Sequence, residues 1–228
     1  MGILSIYYQL LLPEEDRDVY DRILASWLRQ DSVVVLPRPT YRLKKDASEI
    51  VHAVALDHPE VFWVDYYHFT QRDNIFSSSL VFDYYFDEKK RLEAERIVFD
   101  WKTQLVNSLS AAAKAVEKYR ILYEYLKNRV VYSDRCKVYG HTMLGCVPQF
   151  GQSAVCEGIA KCYKYLCNAV GLPCIVIEGT INIQGRSTAP HAWNMIPGPE
   201  GFRYVDILNP GLFMKSKRDM HGYNWERR

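Results

Sequence analysis

Three residues of this 228-residue chain have types and spacing suited to thiol acyl chemistry: Cys156, His191 35 residues later, and Asp206 a further 15 on. Cys156 opens the segment CEGIAKCYKYLCNAV, in which Ile159, Tyr163, Leu166 and Val170 recur at helical spacing. The first-turn N–H groups of a helix lack intrahelical acceptors and carry partial positive charge. A thiolate placed there is stabilised, and the same groups can receive the oxyanion of an attacked carbonyl. His191 begins a strand, HAWNMI, and Asp206 sits on the next, FRYVDIL, after the turn PGPEG. Two antiparallel strands joined by that turn can set imidazole and carboxylate side by side, where the acid fixes the tautomer and stabilises the imidazolium. Taken singly, each residue has a plainer reading: a buried cysteine, a core or surface histidine, an edge-strand acid. Their order and separation favour the joint reading.

The segments AVCEGIAKCYKYLCNAVGLPC, HAWNMI and FRYVDI resemble the bacterial transglutaminase-like superfamily of papain-related cysteine enzymes. The resemblance runs from about Asn107 to Asn209. YLKNRVVYSD is similar to the family's helix-and-tyrosine lead-in, and DHPEVFW to regions that precede the core in bacterial members. It implies an α+β fold, a papain/transglutaminase-like core with the nucleophile helix packed on an antiparallel sheet. It also implies Cys156 as nucleophile, His191 as general base and acid, and Asp206 as orienting carboxylate. The expected activity is thiol-dependent acyl chemistry on amide bonds, with a cysteine protease favoured. A protein-glutamine transglutaminase or deamidase, or a non-catalytic binding module on the same fold, are the alternatives. The family often has Trp in the turn before the Asp strand and Thr after the Asp. This chain has Phe202 and Tyr204 there, and Ile207 follows Asp206. These departures concern packing around the triad and bear on substrate choice.

Other residues near the triad carry weaker signals. Gln149 and Gln152 precede the cysteine where related thiol enzymes place an oxyanion-hole donor, although the backbone N–H of Cys156 is the simpler donor. Trp193 could shield the His–Asp pair from water or serve as core. Asn194 is suited to a backbone hydrogen bond, Glu157 and Gly158 to the helix start and close packing. His141 could line the cleft. Cys162, Cys167 and Cys174 read as core.

The elements that must position these groups follow from periodicity. Residues 13–29 carry an amphipathic stripe (Val19, Tyr20, Ile23, Leu24, Trp27, Leu28) and begin with Pro13 and acids. A short strand is expected at Val33 to Leu36, and a helix from Asp46, as N-cap, to Leu56. FWVDYYHFT and SSLVFDYYF read as a β-hairpin. Two helices are expected between Asp87 and Val131, broken near Asn107 to Ser110, the second with Ala112, Val116, Tyr119, Leu122, Tyr123 and Leu126 at helical spacing. Ser133 to Ser153 reads as a loop. Gly171 and Pro173 end the nucleophile helix, CIVIEGTINI is a strand and QGRSTAP a loop. Residues 1–106 are expected to form a helical and hairpin extension packed on the core and shaping one wall of the cleft, and 107–228 the catalytic core.

Composition narrows the function class. The 48% hydrophobic and 25% charged residues are an ordinary globular balance, and a net charge of +2 gives no reason to expect nucleic acid. The basic residues Lys215 to Arg218, Arg227 and Arg228 read as a solvated tail. No apolar run reaches the ~18 residues of a membrane span. The start MGILSIYYQLLLPEED lacks the basic region and cleavage site of a secretory signal, so a cytoplasmic location is expected. The six cysteines are expected as free thiols there. They include no CxxC pair and no zinc-finger spacing, so no metal is expected. No acidic run resembles a calcium loop, and no glycine loop suits the phosphates of acetyl-CoA, as an arylamine N-acetyltransferase would need. No cofactor is expected, and the partner should be a protein or peptide substrate.

Overall fold

The computed structural model describes residues 6–109, 114–136, 138–183 and 187–225. They fall into two compact units, one formed by Ile6–Ala94 and the other mainly by Glu95–Arg228.

The first unit opens with a short helix, α1 (Tyr7–Leu11), which no sequence pattern announces: five residues are too few for a period to show. A 3-10 turn at Glu14–Asp16 leads into α2 (Arg17–Arg29), so the helix expected from residue 13 starts four residues later. The buried stripe of α2 is Val19, Tyr20, Ile23 and Trp27. α3 (Ala47–Asp57) packs on α2 with Ile50, Val51 and Val54 inward. Asp46 occupies the N-cap position, but only its carbonyl is used, accepting from the Glu49 and Ile50 amides; its side chain makes no capping bond. The helices cover a three-stranded antiparallel sheet of β1 (Val33–Val35), β2 (Val64–Asp73) and β3 (Ser78–Tyr84), in the order β1-β3-β2. Trp27 meets Phe82 of β3 edge-on at 5.3 Å. Buried Asp57 accepts from the amides of Tyr8 and Gln9 and from the Tyr20 hydroxyl.

The division between the units lies inside the long helix α4 (Glu88–Ser108). α5 (Ala115–Lys127) follows, with Tyr119, Leu122, Tyr123 and Leu126 buried as its spacing predicts; Val116 is exposed, and Ala112 lies outside the described residues. The second unit continues with β4 (Val131–Tyr132), which pairs in parallel with β5 (Ser153–Ala154). The segment between them is loop-like but not loosely held. It makes two 3-10 turns, at Met143–Cys146 and Pro148–Phe150, and the first is fully buried. α6 (Cys156–Ala169) then packs on a four-stranded antiparallel sheet of β6 (Ile175–Ile183), β7 (Ser187–Gly198), β8 (Gly201–Val205) and β9 (Tyr223–Asn224), in the order β8-β7-β6-β9. Gly171 adopts φ +72° and ends α6: its amide bonds Asn168, and that of Leu172 bonds Cys167.

Two sequence expectations need correction. Ser187 to Pro190, read as loop, belong to β7, with Pro190 opposite Thr180 of β6. Lys215 to Arg218 are not a solvated tail. The Lys215 amide and carbonyl both bond Tyr204, and the chain turns through Lys217–Asp219 to place β9 against β6. Arg227 and Arg228 lie outside the described residues.

Candidate active site

Cys156 is the first residue of α6. The N-cap is Val155, whose apolar side chain makes no capping hydrogen bond. The Val155 amide bonds the Gly140 carbonyl, which anchors the helix start on the preceding loop. Gly158 makes that seat possible: a Cβ there would lie 2.2 Å from the Gly140 oxygen and 2.8 Å from that of Thr142. Cys156 itself is half-buried, whereas Cys146, Cys162, Cys167 and Cys174 are buried; all, with Cys136, are free thiols.

β7 carries His191 and β8 leads to Asp206. The sequence placed Asp206 on the strand; the strand ends at Val205, and Asp206 is the first residue of the following turn, its amide bonded to the Leu212 carbonyl. That position frees the carboxylate to face β7. Asp206 Oδ2 lies 2.8 Å from His191 Nε2, and Oδ1 accepts from the Leu208 amide at 2.9 Å. With Nε2 engaged, Nδ1 is the imidazole atom left to face Cys156, whose side chain is among the groups that raise the His191 pKa. Cys156 and Asp206 thus both act on the same imidazole. Burial disfavours charge on His191, but hydrogen bonds to Asp206 and Cys156, and their charges, outweigh it and raise the pKa from 6.5 to about 9.

Aromatic side chains enclose the imidazole. Trp193 is buried and stacks on His191, with centroids 5.9 Å apart and planes 25° from parallel. Its Nε1 is buried with no hydrogen-bond partner among the described residues, so it acts there as an apolar plate. Tyr223, from β9, meets both rings edge-on, and its hydroxyl donates to Asp206 Oδ2. Trp225 packs on Trp193 and Tyr204. The sequence reading missed Tyr223 and Trp225. The one available signal was Gly179 inside a strand pattern. Its Cβ would lie 2.2 Å from the Asn224 oxygen and 2.8 Å from the Trp193 ring, so glycine there marks the close approach of another backbone.

The weaker candidates fall into place individually. Asn194 donates to the Ala160 and Ile175 carbonyls, tying β7 to α6 and β6. His141 pairs with Glu157 at 3.1 Å, and Glu157 also with Lys161 at 2.6 Å, so Glu157 and His141 belong to a polar cluster beside the helix start. Gln149 is exposed on the turn Pro148–Phe150, and Gln152 is half-buried in a left-handed conformation, its carbonyl accepting from Val131. Neither lines the narrow gap beside Cys156, whose walls include Ile159, Trp193, Asn194 and Asp206.

Residues 103–207 match the family model described as the transglutaminase-like superfamily. None of the curated proteins matches the chain. Among solved structures, similarity is found to a transglutaminase (14% identity, 66% of this chain and 47% of that one, TM-score 0.41). It is also found to LapG of Legionella pneumophila, EGTA-treated (14%, 57% and 70%, 0.43). A third is the periplasmic domain of TgpA from Pseudomonas aeruginosa (16%, 59% and 54%, 0.36). The chain spans about half the length of the first of these.

Proposed function

We propose that the protein is a cysteine protease in which Cys156, His191 and Asp206 act as a catalytic triad on peptide amide bonds. The observation that carries this reading is the 2.8 Å hydrogen bond between His191 Nε2 and Asp206 Oδ2, beside Cys156 at the first position of α6. His191 Nδ1 takes the thiol proton, and the sulfur attacks the substrate carbonyl. Negative charge developing on the carbonyl oxygen meets the first-turn N–H groups of α6. The imidazolium, held by Asp206, gives its proton to the leaving amine, so the C–N bond breaks and a thioester remains. Water, deprotonated by His191, then attacks the thioester and frees the acid and the thiol. Trp193 and Tyr223 keep the His–Asp pair dry, which strengthens their interaction.

Peptide-library profiling and a glutamine-plus-amine assay, each with wild type and Cys156→Ala, test this. New peptide termini formed by the wild type, and reduced on the order of a thousandfold or more in Cys156→Ala, support it. Amine incorporation or ammonia release without peptide cleavage would replace hydrolysis by glutamine chemistry. Iodoacetamide labelling of Cys156 no faster than that of the other five cysteines would remove the triad altogether.

A further inference from the structure

We propose that Tyr223 is a positioning residue of the site, sharing Asp206 Oδ2 with His191 and so limiting how strongly the carboxylate holds the imidazolium. The inference rests on the triad reading and adds a fourth group to it, from a strand outside the matched family segment, which ends at residue 207.

Asp206 is almost fully buried, and its two oxygens are used differently. Oδ1 takes one backbone amide, from Leu208; Oδ2 takes both His191 Nε2–H and the Tyr223 hydroxyl. Two donors on one oxygen divide its charge, so each is held less strongly than it would be alone. Tyr223 is committed to this role by its surroundings. β9 pairs with β6 at Ile181↔Tyr223, the ring is wedged edge-on against His191 and Trp193, and Asn209 Nδ2 donates to the phenol oxygen, turning its proton toward Asp206. Burial, then the hydrogen bond and charge of Asp206, hold the phenol well above its usual pKa of 10, so it stays a donor.

The benefit to a triad is chemical. His191 must both keep and surrender a proton within one cycle. An imidazolium bound too firmly to a lone carboxylate is a poor acid toward the leaving amine and is slow to return as a base. Tyr223 moderates that grip and fixes the carboxylate plane together with Leu208. Among the described residues, the titratable groups that act on the His191–Asp206 pair include Cys156 from α6 and Tyr223 from β9. Tyr132 of β4 feels the Cys156 charge, and Tyr123 of α5 that of Asp206.

The test is NMR titration of the His191 ring in the full chain, in wild type and Tyr223→Phe, with iodoacetamide kinetics at Cys156 run on both. Phenylalanine keeps the ring in the aromatic cluster and removes only the hydroxyl. The His191 pKa is expected to rise in Tyr223→Phe by about one pH unit, the size of one charge-assisted hydrogen bond redistributed. An unchanged or lowered pKa, with Cys156 still reacting far ahead of the other cysteines in wild type, overturns the role of Tyr223 and leaves the triad standing. Slow Cys156 labelling in wild type overturns the triad reading instead. Tyr223→Ala, which also empties the ring's place, should shift the pKa and lower the melting temperature. A lower melting temperature without any shift would assign Tyr223 to packing alone.

Discussion

Gly158 in the first turn of α6 and Gly140 in the preceding loop meet backbone to backbone, with no room for a single methyl group between them. A Cβ on residue 158 would fall 2.2 Å from the Gly140 oxygen. Backbone cannot swing aside as a side chain can, so Gly158→Ala must push the helix start away from the loop. Overpacking of this kind costs about 1–3 kcal/mol, measurable as a lower urea midpoint at unchanged m-value. Because Cys156 lies two residues earlier on the same turn, its alkylation rate should fall as well. An alanine variant with wild-type stability and wild-type labelling would mean that α6 is not seated as described.

The elevated pKa of His191 makes a prediction with a definite sign. The folded protein holds this proton more tightly than the unfolded chain does, with a pKa of about 9 against 6.5. The stabilising contribution of the charged pair is therefore complete below about pH 6.5 and is lost as pH rises through about 9. Asp206→Asn removes the charge that helps raise the value, leaves at most a neutral hydrogen bond, and keeps the burial that lowers it. The His191 pKa should fall in this variant, and the stability gap between it and wild type should narrow above pH 9. Denaturation midpoints from pH 6 to 10 check this; a gap that widens with pH would contradict the ion pair.

How far the sequence reveals this site depends on the range of the interaction that makes each part. α6 was legible almost to the residue because its signals are local: Ile159, Tyr163 and Leu166 at helical spacing, Gly171 at the left-handed stop, Pro173 beyond. The placing of Cys156, His191 and Asp206 on consecutive elements was legible because those elements follow one another in a recognisable order. Pro190 misled, since proline argues against strand interiors. β7 tolerates it because β8 pairs only with Asn194 to Gly198, so at Pro190 the strand is an edge. Tyr223 was illegible for a different reason. A two-residue strand has no periodicity, and its meaning comes from Asp206, 17 residues away across the sheet. The basic composition of 215–218 suggested a tail because charge says nothing about backbone pairing to Tyr204.

Asp57 supplies a prediction for the unit formed by Ile6–Ala94. Its carboxylate is buried and receives two amides of α1 and the Tyr20 hydroxyl. Asp57→Ala strands these donors and should cost roughly 3 kcal/mol. Asp57→Asn, which keeps one acceptor oxygen, should cost less. The local readout is hydrogen exchange at Tyr8 and Gln9, whose amides should lose protection in the alanine variant first. Retained protection there would show that α1 is held by something other than Asp57.

Gly179 offers a second route to the Tyr223 contact that leaves Tyr223 unchanged. A methyl group there collides with the Asn224 carbonyl, and β9, a two-residue strand paired with β6 at Thr180 and Ile181, is the element that must give way. In Gly179→Ala the strand should lift, carrying the Tyr223 hydroxyl away from Asp206. Hydrogen exchange at the Asn182 amide, which bonds the Gly222 carbonyl, should speed up as the strand leaves. The His191 pKa should then move upward, as in Tyr223→Phe, even though every titrating side chain is intact. If the Asn182 amide loses its protection while His191 titrates as in wild type, the strand's position and the histidine's proton affinity are independent, and the hydroxyl has no hold on the imidazole through Asp206.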